Sequence, residues 1–150
     1  MSRFDIAVLG LGVMGGNLAL NLIDKGFKVV GWDSSSIWRE SKPALFHNAN
    51  FQALERLEEV YDLLGAPRKI FLFVPAGDPV SETVARLLEI VDLNDILVDC
   101  GNSHYLDSID RARAAWLDQV HFVGLGVSGG ASGALHGPSM MYGGNEHTWK

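Results

Sequence analysis

Short apolar runs alternate along this chain with stretches in which apolar residues recur every three or four positions. The runs FDIAVLG (residues 4–10), FKVVGW (27–32), KIFLFV (69–74), DILVDC (95–100) and HFVGLGV (121–127) carry few polar interruptions. That is the pattern of strands covered on both faces, as in a parallel sheet. Between them, helical spacing predicts helices over residues 13–25, ending at Gly26; 51–64, ending at Gly65 and Pro67; 79–90; and 106–117. Strand, helix and strand repeated in this way require right-handed crossovers. The expected fold is therefore α/β, a Rossmann-type doubly wound, mainly parallel sheet with helices on both faces, formed by residues 1–150 as one domain. Ligands in that architecture sit at the carboxyl ends of the strands, so the chemistry is to be sought just after each run.

The first strand ends in GLGVMGG, with Gly10, Gly12 and Gly15 in the G-x-G-x-x-G spacing. Closing a strand and opening a helix, that spacing points to dinucleotide binding. The first glycine allows the tight turn, the second lets a pyrophosphate reach the backbone, and the third lets helix and strand approach. After the second strand comes Asp33, followed by Ser34, Ser35 and Ser36. A carboxylate there can accept hydrogen bonds from the adenosine ribose and repels a 2′-phosphate, which favours NAD over NADP. The serines also form a helix N-cap cluster to which Asp33 could belong, and together with Arg39 they could hold a phosphate. Both roles stay open at this point.

After the third strand, Val74, Pro75, Ala76 and Gly77 lie where the two halves of a cofactor would meet the sheet; a helix-starting turn around Pro79 is the plainer alternative. After the fourth, Asn102 offers a neutral donor and acceptor to a carboxamide or a sugar hydroxyl, and is equally at home as a turn residue. His104 is expected to be a solvated loop side chain, and Cys100 a small buried hydrophobe rather than a nucleophile. The last stretch, GVSGGASGALHGPSMMYGG (126–144), is dense in glycine yet contains Met140, Met141 and Tyr142. Gly/Ser linkers rarely interleave such residues, so the backbone here is expected to turn sharply or approach a ligand.

Composition narrows the function classes. With 47% apolar and 20% charged residues the chain is too apolar for disorder. A formal net charge of −6 without a basic cluster argues against a nucleic-acid partner. No apolar run is long enough for a membrane span and the N-terminus lacks signal-peptide organisation, so the expected location is the cytoplasm. One cysteine allows no internal disulfide, and the five histidines show no ligand spacing, so no metal site is expected.

Four stretches in order, GLGVMGGNLALNL, APRKIFLFVPAG, VDCGNSHYLDS and GVSGGASGALHGPSMMYGG, resemble the successive signatures of the N-terminal domain of 6-phosphogluconate dehydrogenase, and the likeness covers essentially the whole chain. The related 3-hydroxyisobutyrate dehydrogenase group shares the first motif and a version of the last. It usually has a Ser-Thr pair in place of Gly101-Asn102-Ser103 and lacks the YxD formed here by Tyr105, Leu106 and Asp107. By the resemblance, Gly10, Leu11, Gly12, Val13, Met14 and Gly15 hold the cofactor phosphates, and Asp33, Ser34 and Ser35 its adenosine ribose. Val74, Pro75 and Ala76 line the cofactor, and Asn102 touches cofactor and substrate. Ser128, Gly129 and Gly130 hold a phosphorylated sugar acid, and the rest of the run folds back on the sheet through Met140 and Met141. In the family a lysine from a later helical domain acts as base, and that domain also holds the substrate phosphate and most of a homodimer interface. None of Lys25, Lys28, Lys42, Lys69 or Lys150 lies in that motif, so no catalytic residue is expected in this chain, which by itself should bind cofactor and turn over little.

The sequence departs from the family pattern at several places. NADP-dependent members usually carry Asn-Arg-Ser/Thr where this chain has Asp33, Ser34 and Ser35, and loss of the arginine removes the fork that grips a phosphate. A common lysine is replaced by Pro75, and a Glu-Glu pair by Ala131 and Ser132. Three functions remain compatible with these residues: the cofactor half of an NAD-preferring phosphogluconate dehydrogenase, that of a related hydroxyacid dehydrogenase, or a nucleotide-binding module without catalysis. Residues 146–150 read as the start of a helix.

Overall fold

The computed structural model describes residues 3–35, 37, 38, 45 and 47–149. Ser36, Arg39, Lys42 and Lys150, invoked above, lie outside these residues. The elements are β1 (Ile6–Leu9), α1 (Val13–Asp24), β2 (Val29–Trp32), β3 (Phe51–Ala53), a 3-10 turn (Leu57–Glu59) leading into α2 (Val60–Leu63), β4 (Lys69–Leu72), α3 (Asp78–Leu88), β5 (Ile96–Asp99), α4 (Tyr105–Leu117), β6 (His121–Ser128), α5 (Gly130–His136), β7 (Ser139–Gly143) and α6 (Glu146–Trp149). No described helix is long and apolar enough to cross a membrane.

The strands form one sheet in the order β3-β2-β1-β4-β5-β6-β7. All neighbours are parallel except β6 and β7. This is the doubly wound order expected from the sequence, with the reversal between β1 and β4. Successive residues of a strand face opposite sides of the sheet. Ala7, Leu9, Ile70, Leu72 and Leu97 accordingly pack with Val60, Val84 and Ala115 from α2, α3 and α4. Ile6, Val8 and Val29 pack on the other side with Ala19 and Ile23 of α1. Both layers are buried and apolar, in keeping with the apolar runs of the strand sequences.

The structure corrects one predicted element. Residues 51–64 do not form a helix: Phe51 pairs with Val29 in the edge strand β3 and packs against Gly31, and only the 3-10 turn and α2 are helical. Leu54, Leu57, Val60 and Leu64 are all buried. Their three- and four-residue spacing is real, but it is satisfied by a bent path over the sheet.

The glycine-dense stretch is structured rather than a linker. β6 runs to Ser128, the chain reverses at Gly129 (φ 123°) into α5, and β7 returns along β6 with Val127 opposite Met140 and Gly126 opposite Met141. The buried Asn21 of α1 donates from Nδ2 to the Leu135 carbonyl at 2.7 Å, locking α5 onto α1. The segment does fold back on the sheet, but through this backbone ladder: Met140 and Met141 remain exposed.

Candidate functional site

The turn between β1 and α1 is shaped by backbone contact. Gly10 has φ 90°, and a β-carbon on it would strike the carbonyl of Phe73, at the end of the neighbouring β4. A β-carbon on Gly15 would strike the Gly10 carbonyl oxygen, so α1 starts as close to the turn as two backbones allow. A β-carbon on Gly12 would meet nothing within 4 Å. Gly12 faces open space and is the N-cap of α1, with no side chain bonded to the first turn. Intrahelical bonding begins with Gly16 N–H donating to the Gly12 carbonyl at 2.9 Å. The N–H groups of Val13, Met14 and Gly15 are therefore left over, at the positive end of the helix dipole, with no acidic residue in the first turn. The exposed Gly12 leaves them a bare backbone approach, as an anionic pyrophosphate requires.

Asp33 closes this site from β2. Leu11 N–H donates to its Oδ2 at 2.7 Å and Ser35 N–H to its Oδ1 at 2.9 Å. The carboxylate is thus a local turn partner, as one sequence reading held, and it also ties the end of β2 to the glycine turn. Each oxygen keeps a further lone pair for a ribose hydroxyl. Gly10, Asp33, Ser34, Val74 and Pro75 line one cavity of about 260 Å³. Its remaining wall comes from Trp32 and from α3, whose Arg86 guanidinium lies 5.5 Å from the Trp32 ring centroid and 3.2 Å from Glu58.

The other expected residues lie on the same edge of the sheet but not in that cavity. Asn102 has φ 59°, a left-handed conformation that asparagine tolerates better than most residues, so its turn role accounts for its presence. Its side chain is exposed, at the rim of a second groove of about 560 Å³ with Asp99, Ser103, Gly126 and Met141. Ser128, Gly129 and Gly130 are exposed where β6 passes into α5 and border neither space. His104 caps α4, its Nδ1 accepting from Leu106 N–H at 3.3 Å.

Cys100 is buried, and burial, with the charge of Asp99, pushes its thiol far above the ordinary value. It is expected to resist a disulfide reagent in the native protein and to react fully in denaturant. Rapid native labelling would show that the end of β5 is open.

Sequence reasoning missed Trp32, Arg86, Asp99 and Arg111. Arg111 was detectable in principle: it stands four residues before the buried Ala115, on the inward face of α4. Among the described residues no group of three or more His, Cys, Asp or Glu could hold a metal ion.

Comparison with known proteins agrees with the fold. The family model of the NAD binding domain of 6-phosphogluconate dehydrogenase matches residues 5–150. The chain is 43% identical over 147 residues to the decarboxylating 6-phosphogluconate dehydrogenase of Haemophilus influenzae, covering 97% of this chain and 30% of that protein. It is 41% identical over 155 residues to the enzyme of Candida albicans, covering 99% of this chain and 29% of that protein. Among solved structures, Plasmodium falciparum 6-phosphogluconate dehydrogenase, studied with its cofactor NADP+ and with its substrate 6-phosphogluconate, superposes with a TM-score of 0.90 at 35% identity, over 97% of this chain and 32% of that one. A Mycobacterium tuberculosis 3-hydroxyisobutyrate dehydrogenase shares the fold, with a TM-score of 0.83 at 24% identity, over 99% of this chain and 49% of that one. The chain spans about 30% of the length of these curated relatives.

Proposed function

The chain belongs to the family of the NAD binding domain of 6-phosphogluconate dehydrogenase, and from that premise we propose that it is the cofactor domain of an enzyme that oxidises and decarboxylates 6-phosphogluconate to ribulose 5-phosphate. The observation that carries the cofactor role is the α1 terminus. Its free N–H groups face an approach kept bare by Gly12, while Asp33 is bonded to the same turn. Gly10, Leu11, Gly12, Val13, Met14 and Gly15 would hold the pyrophosphate, although the Leu11 amide is already engaged by Asp33. Asp33, Ser34 and Ser35 would hold the adenosine ribose. Strand order then carries the nicotinamide half over β4 and β5, past Val74, Pro75, Ala76 and Asn102. Bound there, the nicotinamide would accept the hydride removed from the substrate carbinol.

Ser128, Gly129 and Gly130, exposed on the same edge, would meet the sugar acid. The described lysines are badly placed to take its hydroxyl proton. Lys25 follows α1, Lys28 precedes β2 and Lys69 opens β4, all on the opposite edge of the sheet. The base is therefore assigned to the remainder of a longer protein, together with the groups for the substrate phosphate and the dimer contacts. The chain alone should bind cofactor and turn over little.

The same cavity favours NAD. Asp33 and Glu82 line it, and its cation Arg86 is paired with Glu58. Among the described residues that line it, a 2′-phosphate would meet two carboxylates and a cation already paired. Calorimetric titration of the chain with NADH and NADPH at matched ionic strength tests this, and NADH is expected to bind at least about tenfold more tightly. Asp33→Asn removes the charge and keeps an acceptor for Leu11 N–H, so it should narrow that gap without loss of fold. Tighter NADPH binding by the unaltered chain would refute the preference. Binding of neither nucleotide by a folded sample would remove the cofactor role.

A further inference from the structure

Beneath the two loops assigned to the nicotinamide half lies a buried guanidinium that none of the functional assignments above uses. Arg111 projects from α4 and is 9% exposed. Its Nη2 donates to the Gly77 carbonyl at 2.9 Å and to Ser81 Oγ at 3.1 Å; its Nε donates to Ser81 Oγ at 3.2 Å, and its Nη1 to Ser103 Oγ at 3.2 Å. Nη1 also stands 3.9 Å from Asp99 Oδ2, a buried oxygen with no hydrogen bond of its own. The other oxygen, Oδ1, accepts from Gly101 N–H at 2.9 Å. One side chain thereby joins the loop after β4, the first turns of α3, the end of β5 and the loop after β5.

Those two loops are already pressed together. A β-carbon on Gly101 would strike the Val74 carbonyl, so a small shift of either loop must be taken up by the other. Gly77 has φ 94° and caps α3, its carbonyl accepting from Val80 N–H at 3.1 Å and Ser81 N–H at 3.3 Å. The Arg111 bond ties that same oxygen to α4. Arginine suits the position because its planar fork fixes several acceptors in one geometry, which a lysine ammonium does not.

We propose that Arg111 is a positioning residue for the nicotinamide half of the cofactor, holding residues 74–77 and 101–103 in register from below without touching the ligand. This rests on the cofactor role proposed above. It separates the two halves of the site: the adenosine half depends on Asp33 and the glycine turn, and the nicotinamide half on Arg111.

The test compares NADH with ADP-ribose, which lacks the nicotinamide, by calorimetry on the chain and on Arg111→Lys, Arg111→Met and Ser103→Ala, with the folded fraction of each measured by circular dichroism. Arg111→Met is expected to weaken NADH by about tenfold or more while ADP-ribose changes by less than about threefold. Arg111→Lys should fall between, and Ser103→Ala, a small change that leaves the other contacts, should weaken NADH alone by a few-fold. If Arg111→Met does not fold, the last two variants decide. Equal losses for the two ligands in folded variants, or no loss for either, would overturn the positioning role and leave the cofactor site standing. Failure of the unaltered chain to bind either ligand would overturn both.

Discussion

Replacing Gly15 with alanine is expected to unfold much of the domain, whereas the same change at Gly12 should leave the fold intact and greatly weaken nucleotide binding. At Gly15 the new methyl group would overlap the Gly10 carbonyl oxygen and lie 3.0 Å from Phe73 Cβ. Neither can retreat cheaply. Gly10 is itself pressed against the Phe73 backbone, and Phe73 N–H is bonded to the Leu9 carbonyl at 2.7 Å. Overpacking of flexible side chains typically costs about 1–3 kcal/mol, and backbone against backbone at a sheet centre should cost at least the upper value. At Gly12 the methyl would stand in open space at φ −65°, so urea denaturation should shift by no more than about 0.5 kcal/mol. It would, however, occupy the approach to the free N–H groups of α1. NADH affinity should fall about a hundredfold, or roughly 2.7 kcal/mol. A stable, binding-competent Gly12→Ala variant would show that the anion does not lie against this turn.

Arg68→Met should cost about 3–5 kcal/mol in urea denaturation without changing the cofactor affinity of the molecules that remain folded. Arg68 and Asp95 are 6% and 0% exposed as side chains, and Nη1 lies 2.9 Å from Oδ2. The same arginine donates from Nε and Nη2 to the Tyr61 carbonyl at 3.2 Å each, and its guanidinium lies 4.0 Å from the Tyr61 ring centroid. Removing the cation leaves a buried carboxylate with, among the described residues, only the Arg68 and Asp92 amides as donors. Both partners sit just before β4 and β5, on the edge remote from the glycine turn, which is why binding should be spared. Arg68→Met combined with Asp95→Leu should recover part of the loss, because the stranded charge goes with its partner. A loss below about 1 kcal/mol for Arg68→Met would mean that water reaches Asp95 and the pair is not a buried one. The Arg113–Asp110 pair, with both side chains more than three-quarters exposed at 78% and 77%, should by contrast be dispensable.

What could be read in advance follows from how local the information is. β1, β2, β4, β5 and β6 were visible because nearly every residue in them is apolar, including Phe71, Ile96, Val123 and Leu125, which border an apolar groove on one face of the sheet. From strand order and the rule that ligands lie at carboxyl ends, Gly10, Asp33, Val74 and Pro75 could be placed before any coordinates, and they do line one cavity. β3 escaped because three residues on an edge carry too short an alternation to compete with the helical spacing of Leu54, Leu57, Val60 and Leu64. β7 escaped because its pairing is written in backbone, not in apolar side chains: Met140 and Met141 stay outside while their amides and carbonyls face β6. The Arg68–Asp95 pair joins residues 27 apart in sequence, and no local period announces it; helical spacing marks Arg111 as inward-facing but not as a partner of Asp99. Ser128 to Gly130 were reached only through the family likeness, since nothing in three small residues signals a sugar.

The central position of β1 bears on how the molecule comes into being. Ile6–Leu9 is laid down before the other strands of this sheet, yet one of its neighbours, β4, pairs Ile70 with Ala7. Some sixty residues must be synthesised before the middle of the sheet can close, a loop whose entropy is lost before the long-range contacts compensate it. A ribosome stalled before β4 would thus present the complete glycine fingerprint on a chain that lacks the Phe73 backbone against which Gly10 is set. The fingerprint is encoded ahead of the strand that completes it, so the anion cradle is a late product of topology.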